Sequence, residues 1–314
     1  MNIRVIIPCF NEEKVIELTY NKLTEILQKD SNLKKYNYNL LFVDDGSKDN
    51  TLKLLRKFSE IDENVSYLSF SRNFGKESAM YAGLQHSTDY DATVIIDSDL
   101  QHPPELIPEM IEKYRMGYDQ VIAQRNRVGE NIFRKIPTKL YYFIINKLVD
   151  TPIVDGIGDF RLLSNRVVNT IVNMEERQRF SKGLFSWVGY NQIVIKFDNV
   201  SRDNGESKWS FKNLLDYGID GILSFNNKPL RIILYLGLFI LGINIIYILI
   251  NLFSIIVNGV TAPGYFTMIF AILFLGSIQL ISLGVVGEYI GRIYYEVKSR
   301  PQYINQESSI KKNG

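Results

Sequence analysis

The sequence predicts an α/β domain built on a mainly parallel sheet, followed by a two-helix transmembrane hairpin. Three observations carry that expectation. Short β-branched runs alternate with helical patterns along the front of the chain. Each of the first four runs ends in a polar cluster. From Ile232 to Gly287 there is no charged residue.

The elements follow in order. A strand is expected over 3–8 and a helix over 12–29. Strands at 39–43, 65–70 and 92–96 precede helices at 50–60, 77–86 and 105–116, and a fifth strand covers 120–123. Pro103-Pro104 marks the start of the fourth helix. Short β-branched runs read as buried strands. Strands alternating with helices imply βαβ units with helices on both faces of the sheet. In such sheets ligands bind outside the carboxyl ends of the strands. The polar clusters stand there: Pro8 to Glu13, Asp44-Asp45-Gly46-Ser47, Ser71 to Glu77, and Asp97-Ser98-Asp99. All four are expected to converge on one crevice.

Asp97 and Asp99 are the sharpest signal. Side chains at i and i+2 of a strand point to one side. Two like charges held together repel unless a cation or donor sits between them. Mg²⁺ favours one or two carboxylates plus phosphate oxygens, so a metal-bound diphosphate suits the pair.

Composition excludes several classes. Net charge is +2, with no broad basic footprint for nucleic acid. The single cysteine, Cys9, excludes an internal disulfide and fits a reducing compartment. Two histidines, His86 and His102, are too few for a histidine-rich zinc site, and no Ser-His-Asp spacing appears. No G-x-G-x-x-G follows the first strand, Gly156-Ile157-Gly158 lacks the third glycine, and no Walker loop is present. The first residues are too strand-like for a signal peptide.

The charge-free stretch has room for two spans of about 20 residues each, divided by turn-forming residues at 258–264. Tyr235, Tyr265, Phe266 and Tyr289 lie near the expected ends, where aromatic belts form. Arg231 precedes the first span, and Arg292, Lys298 and Arg300 follow the second. The positive-inside rule then puts the front domain in the cytoplasm. Stretches 135–148 and 211–225 carry apolar stripes at helical spacing. They read either as core-facing helices or as helices lying in the membrane interface. Asn244, Asn251 and Gln279 are able to bond across helices, which leaves a homo-oligomer open. The polar tail from about 305 is expected to fray.

These residues carry a resemblance. The first three clusters, with Asp97-Ser98-Asp99-Leu100-Gln101, Gly158-Asp159-Phe160-Arg161-Leu162 and Gly205-Glu206-Ser207-Lys208, stand in the order seen in family 2 glycosyltransferases. The set resembles the polyprenyl-phosphate group, which includes bactoprenol glucosyltransferases and dolichyl-phosphate mannose synthases. The resemblance implies a GT-A-like nucleotide-diphospho-sugar transferase domain over 1–209 in the cytoplasm. An interfacial helix at 210–230, two transmembrane helices at 231–291 and a cytoplasmic tail at 292–314 would follow.

The resemblance also implies roles. Pro8, Glu12, Asp44 and Asp45 would meet the nucleoside. One of the two aspartates is alternatively a turn that caps the next helix. Asp97 and Asp99, with Gln101 as a further oxygen ligand, would hold Mg²⁺ or Mn²⁺, and Asp97, Gln101 and Lys76 would contact substrate. Asp159 would be the catalytic carboxylate at the reacting carbon, unless it is spent on a salt bridge to Arg161. Arg125, Arg127, Arg202 and Lys208 are candidates for phosphate contact. Gly183 and Trp187 belong to the acceptor side or to the core.

The implied activity is transfer of one hexose, glucose or N-acetylglucosamine, from a UDP-sugar to undecaprenyl phosphate with inversion. It would serve cell-envelope glycosylation at the plasma membrane, alongside a flippase and a downstream glycosyltransferase. Two other readings compete. A processive polysaccharide synthase would carry Gln-x-x-Arg-Trp, and the nearest stretch, Glu176-Arg177-Gln178-Arg179-Phe180, does not match. A non-catalytic sugar-nucleotide-binding membrane protein would have no use for a carboxylate at the reacting carbon.

Overall fold

The computed structural model describes residues 1–29, 36–126, 157–177, 179–198, a subset of positions within 233–257, and 264–310. The first strand, β1 (Asn2–Cys9), is buried from Ile3 onward and lies inside the sheet, between β2 (Asn37–Asp44) and β4 (Ala92–Ile95). Beyond β2 come β3 (Val65–Phe70) and β8 (Asn305–Ser308). Beyond β4 come β6 (Ile157–Ser164), β5 (Gln120–Arg125) and β7 (Gln192–Phe197). The order is β7-β5-β6-β4-β1-β2-β3-β8. Only β6 and β8 pair antiparallel with their neighbours.

Period-two alternation along β1 feeds two cores. Ile3, Val5 and Ile7 pack with α1 (Ile16–Lys29), α2 (Thr51–Ile61) and α4 (Ile107–Arg115) through Leu23, Phe58 and Met110. Ile6 faces the other way, toward α3 (Lys76–Gln85) and α5 (Asn165–Val172), through Met80, Val168 and Ile171. Helices thus cover both faces, which is why the central strands read as continuous apolar runs.

The five expected strands are present, β3 with the expected bounds and the others with shifted ends. Three more were not expected. β6 carries the Gly158–Leu162 motif, and β7 borders β5. β8 corrects the expected frayed tail. Residues 305–308 add to the exposed edge of β3, with Leu68 opposite Ser308. Arg56 grips Glu307 through two 2.7 Å hydrogen bonds. Tyr303 stacks on Phe70 at 4.7 Å and donates its hydroxyl to Gln85 at 2.9 Å. Main-chain pairing and one aromatic anchor hold a segment whose composition is polar.

Every described position within 233–257 is helical. α7 (Tyr265–Lys298) is 34 residues long, continuing past the boundary expected at 291. Its stretch Phe274–Lys298 is the one helix, among the described residues, long and apolar enough to cross a membrane. Leu280, Ile281 and Leu283 on it are mostly exposed, an apolar surface that water covers poorly. The stretches 135–148 and 211–225, and the expected interfacial helix at 210–230, lie outside the described residues.

One loop junction is built around a glycine. Gly46, just past β2, has φ +68°, and an added Cβ would lie 2.4 Å from the Arg72 carbonyl carbon. Gly46→Ala is therefore expected to destabilise the domain by roughly 2–4 kcal/mol, from left-handed strain plus a backbone collision. A thermal melt followed by near-ultraviolet circular dichroism should show a fall of about 5 °C or more. An unchanged melting temperature would disprove the tight junction.

Candidate active site

A cleft of about 450 Å³ opens at the carboxyl ends of the central strands, lined by Pro8, Glu12, Asp45, Lys76, Asp97 and Asp99. The four polar clusters converge there. After β1, Asn11 takes φ 55°, and Glu12 starts the next turn by accepting the Val15 and Ile16 N–H groups on its carbonyl. The Glu12 N–H donates to Thr51 Oγ1 at 2.8 Å, tying this loop to α2.

The two aspartates after β2 divide their labour. Asp44 is fully buried, accepting the Ser47 N–H at 3.1 Å and the Ser69 hydroxyl at 2.7 Å. In this arrangement it braces the turn. Asp45 borders the cleft and accepts the N–H groups of Phe74 and Gly75, at 2.6 and 2.9 Å. Burial raises its pKa against the pull of those two bonds. Cys9 also lines the cleft, and burial beside several carboxylates pushes its thiol well up.

β4 ends at Ile95, so the Asp97/Asp99 pair lies beyond it rather than on it. Strand alternation does not place the pair; a turn does. Leu100 takes φ 53°, and Asp99 accepts the Gln101 main-chain N–H at 3.1 Å and its side-chain amide at 2.6 Å. Gln101 thus meets Asp99 as a donor through its amide nitrogen.

Antiparallel β6 supplies the third carboxylate. The register Ala92↔Ser164 to Ile95↔Arg161, carried two residues further, sets Asp159 across from Asp97. Lys76, the first residue of α3, closes the gap: its Nζ lies 2.5 Å from Asp97 Oδ1 and 2.6 Å from Asp159 Oδ2. Burial works against the Lys76 charge, but the two carboxylates outweigh it and hold its pKa above the usual value. Burial likewise opposes the Asp159 charge; Lys76, Lys182 and Arg161 overcome it and hold the carboxyl at about 2. Asp159 Oδ1 is buried with no hydrogen-bond partner among the described residues. Arg161 donates to the Gly158 carbonyl at 2.8 Å and stacks over Phe185 at 4.0 Å, so the close ion pair of Asp159 is with Lys76 instead.

Three supporting residues escaped the sequence reading. His102 Nδ1 lies 3.7 Å from Asp97 Oδ2, its ring packed near Phe160 and Phe197; burial lowers its pKa. Glu77 accepts the Ser181 N–H at 3.1 Å and the Ser181 hydroxyl, docking α6 (Ser181–Trp187) behind the cleft. Lys182 adds positive potential at Asp159 and Glu77. Glu77 closes the Ser71 to Glu77 cluster, His102 directly follows Gln101 and Lys182 directly precedes Gly183, which was the available signal. Arg125 sits exposed at the carboxyl end of β5, on the cleft's edge of the sheet. Gly183 is buried, whereas Trp187 is 61% exposed and so is not a core residue. Arg127, Arg202 and Lys208 lie outside the described residues.

The donor set suits a divalent ion of a particular kind. Among the described residues, no group of three or more His, Cys, Asp or Glu could hold a metal alone. Asp97 and Asp99 line one cleft, and a cationic ammonium already rests on Asp97. That fits Mg²⁺ or Mn²⁺ completed by diphosphate oxygens, not an all-protein cage.

Two family models and several curated relatives match the chain. The model of glycosyl transferase family 2 matches residues 4–172, and that of the GtrB C-terminal hairpin matches residues 228–293. The putative glycosyltransferase CsbB of Bacillus subtilis is 49% identical over 98% of this chain and 92% of its own. The bactoprenol glucosyl transferase of Shigella phage SfX is 42% identical over 97% of this chain and 98% of its own. Among solved structures, a Pyrobaculum calidifontis mannosyltransferase with GDP-mannose and Mn²⁺ aligns at TM-score 0.43 and 16% identity, covering 65% of this chain and 58% of that one. The strand-end cleft with its Asp97/Asp99 pair, on a GT-A-like sheet, is thus that of an enzyme, and the chain belongs to glycosyltransferase family 2, with a GtrB-type hairpin behind its catalytic domain.

Proposed function

We propose that this enzyme transfers a single hexose, glucose or N-acetylglucosamine, from a UDP-sugar to undecaprenyl phosphate with inversion. The observation that carries the reading is Asp159, held ionised 2.6 Å from Lys76 and facing Asp97 across one cleft. The names of relatives covering the full chain support the lipid-phosphate acceptor.

Pro8, Glu12 and Asp45 border the end of the cleft suited to the nucleoside. Asp97 and Asp99 would hold the metal, with Gln101 bracing Asp99. A divalent ion there would neutralise charge on the departing diphosphate. Arg125, at the carboxyl end of β5, is a phosphate candidate, and so by sequence are Arg127, Arg202 and Lys208. The acceptor phosphate has a second pKa of about 6, like phosphoserine, and is mostly ionised at neutral pH. A carboxylate titrating at about 2 is a poor base for it. Asp159 therefore stabilises positive charge on the sugar ring and positions the nucleophile. An acceptor phosphate oxygen bonds to the anomeric carbon as the carbon–oxygen bond to the diphosphate breaks. One in-line displacement inverts that carbon.

The tail bears on topology. β8 pairs with β3 of the catalytic sheet, so the chain returns after α7 to the side it left. This supports an even number of crossings, the two-span hairpin of a multi-pass plasma-membrane protein. Arg292, Lys298 and Arg300 favour the cytoplasm for that side. A sugar–lipid made there needs a flippase before a downstream glycosyltransferase can use it outside.

The test is direct. Membranes containing the protein, given labelled UDP-glucose or UDP-N-acetylglucosamine and undecaprenyl phosphate, should yield a chloroform-soluble monosaccharide lipid with a β linkage. A polymer would favour the processive reading, and no product with either donor would refute the proposal.

A further inference from the structure

Lys76 is a cation placed between the carboxylate proposed for the metal and the one proposed at the reacting carbon. Lys76 Nζ touches Asp97 at 2.5 Å and Asp159 at 2.6 Å. Those carboxylates face each other because β6 runs antiparallel to β4. Two carboxylates in one partly buried cleft need a positive charge between them. Lys76 supplies it from a flexible stem rooted at the start of α3, and its side chain keeps 44% exposure on the cleft side. Asp159 is far less accessible, with 12% side-chain exposure. Asp97 is therefore the easier of the two partners to exchange. An ammonium has three donors, so leaving one carboxylate does not strand it.

We propose that Lys76 is a partner-exchanging residue. It yields Asp97 to the divalent cation that arrives with the nucleotide diphosphate, stays on Asp159, and offers its freed donor to the acceptor phosphate. The metal and Lys76 compete for one carboxylate oxygen. The metal then binds Asp97 weakly unless diphosphate oxygens complete its shell. The acceptor phosphate meets a free ammonium donor only after the metal and donor have entered. The second half rests on the proposed lipid-phosphate acceptor; the first half does not.

Full-length protein in detergent, without nucleotide, is titrated with Mn²⁺ and followed by electron paramagnetic resonance. Lys76→Met should bind Mn²⁺ about tenfold tighter than wild type or better, because a cation beside the site is gone. Lys76→Arg, which keeps the charge, should stay near wild type. In an Asp97→Asn background the gain from Lys76→Met should vanish. If Lys76→Met is poorly folded, Lys76→Gln removes the same charge and is read identically. Mn²⁺ binding that is unchanged or weaker in the neutral variants overturns the exchange. In the transfer assay, the neutral variants should raise KM for polyprenyl phosphate about tenfold while Mn²⁺-dependent donor affinity holds or tightens. An unchanged acceptor KM overturns the phosphate half. Absence of any transfer in wild type would instead count against the proposed function, since the Mn²⁺ titration needs neither sugar nor lipid.

Discussion

Asp159→Asn should lower kcat by roughly 10²–10³-fold while leaving donor affinity within a few fold, the signature of an interaction made mainly in the transition state. The reason is electrostatic. Asp159 is buried, ionised and beside Lys76, so the variant keeps the shape and loses the charge where the sugar ring becomes positive. Single-turnover kinetics with separately measured donor binding would check this. A variant with near-normal turnover would remove Asp159 from the reacting carbon. The pH profile gives a second check. Asp159 titrates at about 2, below the about 3.9 of a free aspartate. Its charge stabilises the folded state above about pH 4, and that contribution fades as pH falls through about 2. The acid limb of activity should therefore follow the acceptor phosphate, near 6, and not Asp159.

Asp97→Asn should abolish nucleotide-dependent metal binding and cut transfer by roughly 10²-fold or more, since removing one preorganised charge costs that much. The fold should survive, because Asp97 stands beyond the end of β4 in a partly exposed turn. Excess chelator should match the variant in wild type. Full activity in chelator, or in Asp97→Asn with a normal melting temperature, would remove the metal from this carboxylate. Asp99→Asn tests a different element. Asp99 holds Gln101 through two bonds, so its loss should also loosen the turn and lower thermal stability.

Local pattern made the framework legible. Apolar runs of four to eight residues at β1 to β5 were visible because central strands are buried on both faces. β8 was not, because Asn305–Ser308 is polar and is held by main-chain pairing with β3, an interaction that leaves no local signature. Asp44 and Asp45 are adjacent and chemically identical. Only the packing of Ser69 beneath one and of the Phe74–Gly75 loop beside the other separates brace from lining.

The sequence by itself determined the alternation of strands and helices, the polar clusters at the strand ends, the charge-free stretch, and hence the family. All of these rest on short-range periodicity and composition, which each segment carries alone. Tertiary structure decided which side chains meet. The antiparallel entry of β6 sets Asp159 opposite Asp97, and the start of α3 swings Lys76 between them. Those residues are separated by tens of positions in the chain. Their charges acquire a joint meaning only where burial weakens the screening of water and an unpaired carboxylate becomes costly.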